Sequence, residues 1–83
     1  PGRVSDMLRN SGYLSIDFSG QMAIMKTRPG YASAIAYNLD NSDLPEILGT
    51  IAGDDTIFIV TREGCSHEDV LSSLSYVVPE VKE

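Results

Sequence analysis

The sequence predicts an α+β domain: a two-layer ββαββα sandwich with a four-stranded antiparallel sheet and two helices on one face. Three observations predict it. Four short segments alternate apolar and polar residues, or run apolar, between Gly-containing turns. Two further segments repeat apolar residues at helical spacing. Their order is hairpin, helix, hairpin, helix, which lets one sheet face be buried under two helices.

Each element has its own local reason. Val4, Met7 and Leu8 have the spacing of one helical turn, which Asn10 to Gly12 ends. Tyr13 to Phe18 alternates, so Leu14, Ile16 and Phe18 are expected on one face, with Ser15 and Asp17 on the other. Ser19-Gly20-Gln21 turns the chain into a second strand, Met22 to Thr27. Pro29-Gly30 breaks that strand, and Ala32, Ile35, Ala36 and Leu39 then mark an amphipathic helix. Asp40 to Asp43 reads as a loop, and Leu44-Pro45 prevents the helix from continuing.

A second hairpin follows. Ile47, Leu48, Ile51 and Ala52 precede its tip, Ile57 to Val60 follow it, and Gly53 is expected to supply the freedom of a tight turn. Ser66 with Asp69 has the form of a capping box. It opens a helix whose apolar stripe is Val70, Leu71, Leu74, Val77 and Val78, and which Pro79 stops. Residues 79–83 read as a frayed tail. Met22 to Met25 and Ile57 to Val60 are apolar on both faces, more than one helical layer requires. The excess predicts a second buried face made by another subunit.

Composition narrows the function. Eighty-three residues make one small domain, which buries only about 60 to 65% of its unfolded surface and gains from oligomerisation. The single cysteine, Cys65, rules out an internal disulfide. With no signal peptide evident, a cytoplasmic location is expected. No apolar run approaches the ~20 residues of a membrane span. Twelve acidic residues against six basic ones give a net charge of -6, and the basic residues are scattered. That argues against this segment gripping nucleic acid by itself. The chain starts at Pro1 without Met and reads as part of a longer protein.

The candidate chemistry centres on Asp54 and Asp55. Side by side at a hairpin tip, they repel each other and either face water or meet a cation. Hairpin-turn chemistry alone explains such a pair, and on spacing alone it is the favoured explanation. A metal-dependent enzyme would need more ligands, and His67 is the only imidazole. Asp40 and Asp43 add oxygens but follow no calcium-loop pattern. No nucleophile stands out beside the pair, so neither catalysis nor a bound metal or cofactor is expected. His67 is expected to face water in the first turn of the last helix, and Cys65 to be a small turn residue. Tyr31 and Tyr37 fall on different faces of a helix. Asp40 sits where a helix dipole disfavours a carboxylate.

Two blocks then carry a resemblance. Lys26-Thr27-Arg28-Pro29-Gly30-Tyr31-Ala32-Ser33-Ala34-Ile35-Ala36 with Leu39-Asp40, and Ile47-Leu48-Gly49-Thr50-Ile51-Ala52-Gly53-Asp54-Asp55-Thr56-Ile57, resemble the C-terminal domain of bacterial arginine repressors. The family pattern is roughly T-x-P-G-x-A-Q-x-I-A-x-x-L-D followed by G-T-I-A-G-D-D-T. The resemblance implies a cytoplasmic regulator of arginine metabolism, with a winged-helix DNA-binding domain preceding this one. It further implies that this domain trimerises, and that two trimers stack into a hexamer with L-arginine at their interface.

By position, Asp54 and Asp55 match the family's acidic pair, Asp40 a family aspartate near the site, and Ala32 the alanine of the P-G-x-A-Q turn. Ser33 stands where the family has Gln, which shortens the reach and removes an amide donor. The resemblance thus implies an arginine sensor with weakened affinity. The rival readings are a structural trimerisation domain with lost or altered ligand specificity and, behind it, a metal-dependent enzyme using Asp54 and Asp55.

Overall fold

The computed structural model describes residues 11–82. The helical turn expected over Val4 to Leu8 lies outside that range. Strand β1 (Tyr13–Ser19), strand β2 (Met22–Thr27), helix α1 (Ala32–Asp40), strand β3 (Ile47–Ala52), strand β4 (Thr56–Thr61) and helix α2 (His67–Leu74) follow in order. A 3-10 turn, Pro79–Lys82, closes the described chain. The sheet is antiparallel throughout, with strand order β1-β2-β4-β3. This is the expected ββαββα sandwich.

Alternation decides which residues meet the helices. Ala23 and Met25 of β2 and Ile57 and Ile59 of β4 are fully buried. Against them pack Ala32, Ile35, Ala36 and Leu39 from α1, and Val70 and Leu74 from α2. The small alanines of α1 let its axis lie close to the sheet. Helix α2 opens on the expected capping box: Asp69 N–H donates to Ser66 Oγ (3.0 Å), and Ser66 N–H donates to the Asp69 carboxylate (3.2 Å). The buried Ser73 hydroxyl donates to the carboxylate of Glu46, which ties α2 to the entrance of β3.

Four expectations change. Leu14 does not share a face with Ile16 and Phe18. The β1–β2 register shifts by one residue between Tyr13 and Ser15, so Leu14 is the extra residue of a bulge. It is 59% exposed, while Tyr13 packs against the core in its place. Burial, with Asp17 and Glu80 nearby, raises the Tyr13 hydroxyl above its ordinary pKa. Second, α2 ends at Leu74, and residues 79–83 are not a frayed tail over their described length. Val78 and Val81 are buried, and the Glu80 carboxylate accepts from Ser11 N–H and Ser11 Oγ at 3.2 and 3.1 Å. Apolar residues that the helix stripe could not use hold the terminus down.

Third, Gly53 does not take a positive φ, nor do Asp54 and Asp55. The tip closes through Gly53 N–H donating to Thr56 O at 2.8 Å. Fourth, His67 is exposed but does not simply face water: its ring stacks on Phe18, with centroids 4.1 Å apart and planes 14° apart.

Glycine matters most at Gly12. Its φ is +93°, and a Cβ there would lie 2.4–2.7 Å from Tyr31 Cδ2, Cγ and Cβ. Its carbonyl accepts from Arg28 N–H at 2.8 Å. Gly12→Ala is expected to lower stability by about 2 kcal/mol or more, from left-handed backbone strain plus displacement of Tyr31. Urea denaturation checks it; an unchanged midpoint would show that the 12–31 contact is dispensable.

Candidate functional site

The tip of the β3–β4 hairpin docks onto the connection between β2 and α1. Asp55 O accepts from Thr27 N–H (2.8 Å), and Asp54 O accepts from Gly30 N–H (2.9 Å) and, more weakly, from Ala32 N–H (3.5 Å). Pro29 fixes the turn that aims these donors. The two blocks carrying the sequence resemblance are therefore one place in the fold. Their backbone groups satisfy one another, which leaves both aspartate side chains exposed to solvent.

The two carboxylates are not equivalent. Asp55 Oδ1 accepts from Thr56 Oγ1 at 2.9 Å. Thr56 Oγ1 in turn accepts from Lys26 Nζ at 3.1 Å. Lys26 and Thr56 are direct partners in the β2–β4 register, which brings them to one face. Asp54 has no comparable side-chain partner among the described residues. One carboxylate is thus held by a hydroxyl with a cation behind it, and the other has no side-chain partner among the described residues.

The remaining candidates are spread along α1. Ala32 is its first helical residue and is fully buried. It therefore serves the tip through its N–H and its small volume. Ser33 follows and is exposed. Asp40 ends the helix, about 12 Å from Ala32 at the usual rise per residue. Asp40 Oδ1 accepts from Thr50 Oγ1 at 3.0 Å. It rims a separate open groove of ≈ 310 Å³ that Asp43, Leu44, Pro45 and Leu48 also line. Within one chain the tip touches the start of α1 through the Asp54 carbonyl and Ala32 N–H, with Ser33 next in sequence, whereas Asp40 lies at the other end of that helix. No group of three or more His, Cys, Asp or Glu side chains arranged to hold a metal ion occurs among the described residues.

Next to the tip, the sheet face away from the helices is open and apolar. Ile24 pairs with Phe58, Met22 with Val60, and Ile51 with Phe58. Ile51 is 75%, Phe58 51% and Val60 42% exposed. A concavity of ≈ 360 Å³ lined by Lys26, Ile51, Gly53, Thr56 and Phe58 joins this face to the tip. The excess of apolar strand residues read from the sequence is thus a continuous exposed patch. No helix of the described residues is long and apolar enough to cross a membrane.

The chain matches the family described as arginine repressor, C-terminal domain, over residues 10–75. It is 54% identical over 78 residues to an arginine repressor of Phocaeicola vulgatus, covering 94% of this chain and 49% of that protein. An arginine repressor of Bacteroides thetaiotaomicron is 53% identical over 93% of this chain and 49% of its own length. One from Thermotoga maritima is 47% identical over 77% of this chain and 42% of its own length. The chain spans about half the length of the first two relatives.

Proposed function

The chain belongs to the arginine repressor family as its C-terminal domain, and from that premise we propose that it is the ligand-sensing and oligomerisation part of an arginine-responsive transcriptional regulator. In this reading the chain is not an enzyme and acts in the cytosol. Its open sheet face packs against further copies to form a trimer. Two trimers meet at the hairpin tips, with L-arginine between them. Operator DNA is bound through a separate DNA-binding domain of the longer protein.

The single observation that carries the ligand reading is the exposed carboxylate of Asp54, without a side-chain partner among the described residues, beside Asp55 on a tip held by backbone hydrogen bonds. When several such tips face one another, their like charges oppose assembly. A guanidinium offers a planar set of donors that pairs with carboxylates from two copies. Its charge removes the repulsion, and binding favours the assembly by mass action. DNA affinity then couples to arginine by linkage if the hexamer positions the DNA-binding domains better than separate trimers do. In the assembly Asp40 of one copy would approach the tip of another, since within its own chain it lies at the far end of α1.

Light scattering with and without L-arginine tests this reading. The expected result is a trimer or larger without ligand and a hexamer with it. A monomer under both conditions at tens of micromolar would refute it. Unchanged mass together with no heat of binding would favour a purely structural trimerisation domain.

Ligand strength should follow the residue at position 33. A Ser hydroxyl does not reach as far as a Gln amide, and one lost hydrogen bond costs roughly 0.5 to 1.5 kcal/mol. Ser33→Gln is therefore expected to tighten arginine binding several-fold by calorimetry while leaving neutral citrulline weak. Citrulline binding as tightly as arginine would overturn the charge argument.

A further inference from the structure

We propose that Lys26 is a tethered countercharge to the acidic pair, competing with the cationic ligand and so setting the arginine concentration at which the site fills. The inference rests on the reading that Asp54 and Asp55 hold a cationic amino acid. Its own support is the hydrogen-bond chain from Lys26 Nζ through Thr56 Oγ1 to Asp55 Oδ1, with steps of 3.1 and 2.9 Å. A hydroxyl has one proton and two lone pairs. Donating that proton to Asp55 leaves Thr56 free to accept from an ammonium. Both partners therefore fix the same rotamer, and the chain runs from positive to negative without a break.

The placement is backbone-determined. Lys26 and Thr56 face each other across β2 and β4, one residue from Asp55. From that fixed backbone position the ammonium reaches Thr56 Oγ1, and through it Asp55. It lines the concavity that opens onto the apolar sheet face, with Ile51 and Phe58 as its other walls. When another copy covers that face, water leaves this rim and the attraction of Lys26 for the pair strengthens. A cation already in place lowers the repulsion between gathered tips. The same cation repels an arriving guanidinium. Lys26 thus favours assembly without ligand and disfavours ligand binding, two effects with one origin. Thr56 is the positioning residue that holds the Asp55 carboxylate in a single orientation.

Calorimetry with L-arginine and sedimentation without it, on the wild type and four variants, test the proposal. Lys26→Gln is expected to bind arginine roughly two- to five-fold more tightly, the effect of one solvent-screened charge. It should also shift ligand-free protein toward smaller species. Both differences should shrink at high salt. Lys26→Arg keeps the charge and should resemble the wild type. Thr56→Val, which cuts the link between Lys26 and Asp55 and frees the Asp55 carboxylate, should likewise tighten arginine binding, and Thr56→Ser should resemble the wild type.

Equal arginine affinity in wild type and Lys26→Gln would overturn the proposal while leaving the ligand reading intact. So would weaker binding by Lys26→Gln, which would make Lys26 a partner of the ligand's α-carboxylate. A wild type that binds no arginine would overturn the ligand reading and the competition with it.

Discussion

Phe58→Asp is expected to convert the assembly into a folded monomer. Phe58 lies in the centre of the open sheet face, on central strand β4, with Ile24 on β2 and Ile51 on edge strand β3 as its register partners. It is half exposed, and the core residues on either side of it, Ile57 and Ile59, point the opposite way into the helices. In an isolated chain a carboxylate at this position stays in water, so the helix-side core is untouched. In an assembly it would be buried without a partner. Loss of a central aromatic anchor costs about 2 kcal/mol or more at an interface, and desolvating the new charge adds to that. The effect enters once per copy, so the association constant of a trimer falls by many orders of magnitude. Light scattering gives the mass, and circular dichroism verifies that the fold survives. An intact trimer in the variant would show that this face is not where copies meet.

Asp54→Asn should remove arginine binding and leave the oligomer below the hexamer folded. The substitution is nearly isosteric. The contacts that anchor the tip run through the Asp54 carbonyl to Gly30 and Ala32 N–H, not through its carboxylate. Only the charge changes. Breaking one close charge pair at an interface costs roughly 2 to 5 kcal/mol, so affinity should fall by about thirty-fold or more. Asp55→Asn should have a smaller effect, because the Asp55 carboxylate is already engaged by Thr56. Equal losses for the two variants, or unchanged affinity in Asp54→Asn, would show that the asymmetry seen at the tip does not matter to binding.

Much of this fold was legible because its signals are local. The period of Ala32, Ile35, Ala36 and Leu39 states both the helix and its buried face, and all four are buried. Ser66 and Asp69 state their own cap. What escaped depends on partners distant in sequence. The facing of Leu14 depends on the register of β1 against β2, which no periodicity contains. The last helix stops at Leu74, before the proline expected to end it, and the ordering of the residues after Pro79 depends on Ser11, 69 positions before Glu80. The stacking of His67 on Phe18 is likewise long-range.

The site divides in the same way. The adjacency of Asp54 and Asp55 is visible as a dipeptide, and the family pattern points to Ala32, Ser33 and Asp40. Their arrangement is not visible. The docking of the tip on residues 27–32 and the distance of Asp40 follow only from the folded backbone. Lys26 was missed as a contributor. The available signal was the alternation of β2 and β4, which places Lys26 opposite Thr56 once the strands are paired.

The one-residue shift that displaces Leu14 has a counterpart. The β3–β4 register shifts between Ile47 and Gly49, making Leu48 the extra residue there, and it is 56% exposed. Strands β1 and β3 are the two outermost of the sheet. Each therefore carries an irregularity at one end that spoils the straight row of free N–H and C=O groups a foreign strand would need for pairing. A small, sticky domain of this kind could otherwise polymerise side by side into fibres. Blunted rims leave the adhesive flat surface, rather than the strand edges, as the place where a further copy would be expected to attach.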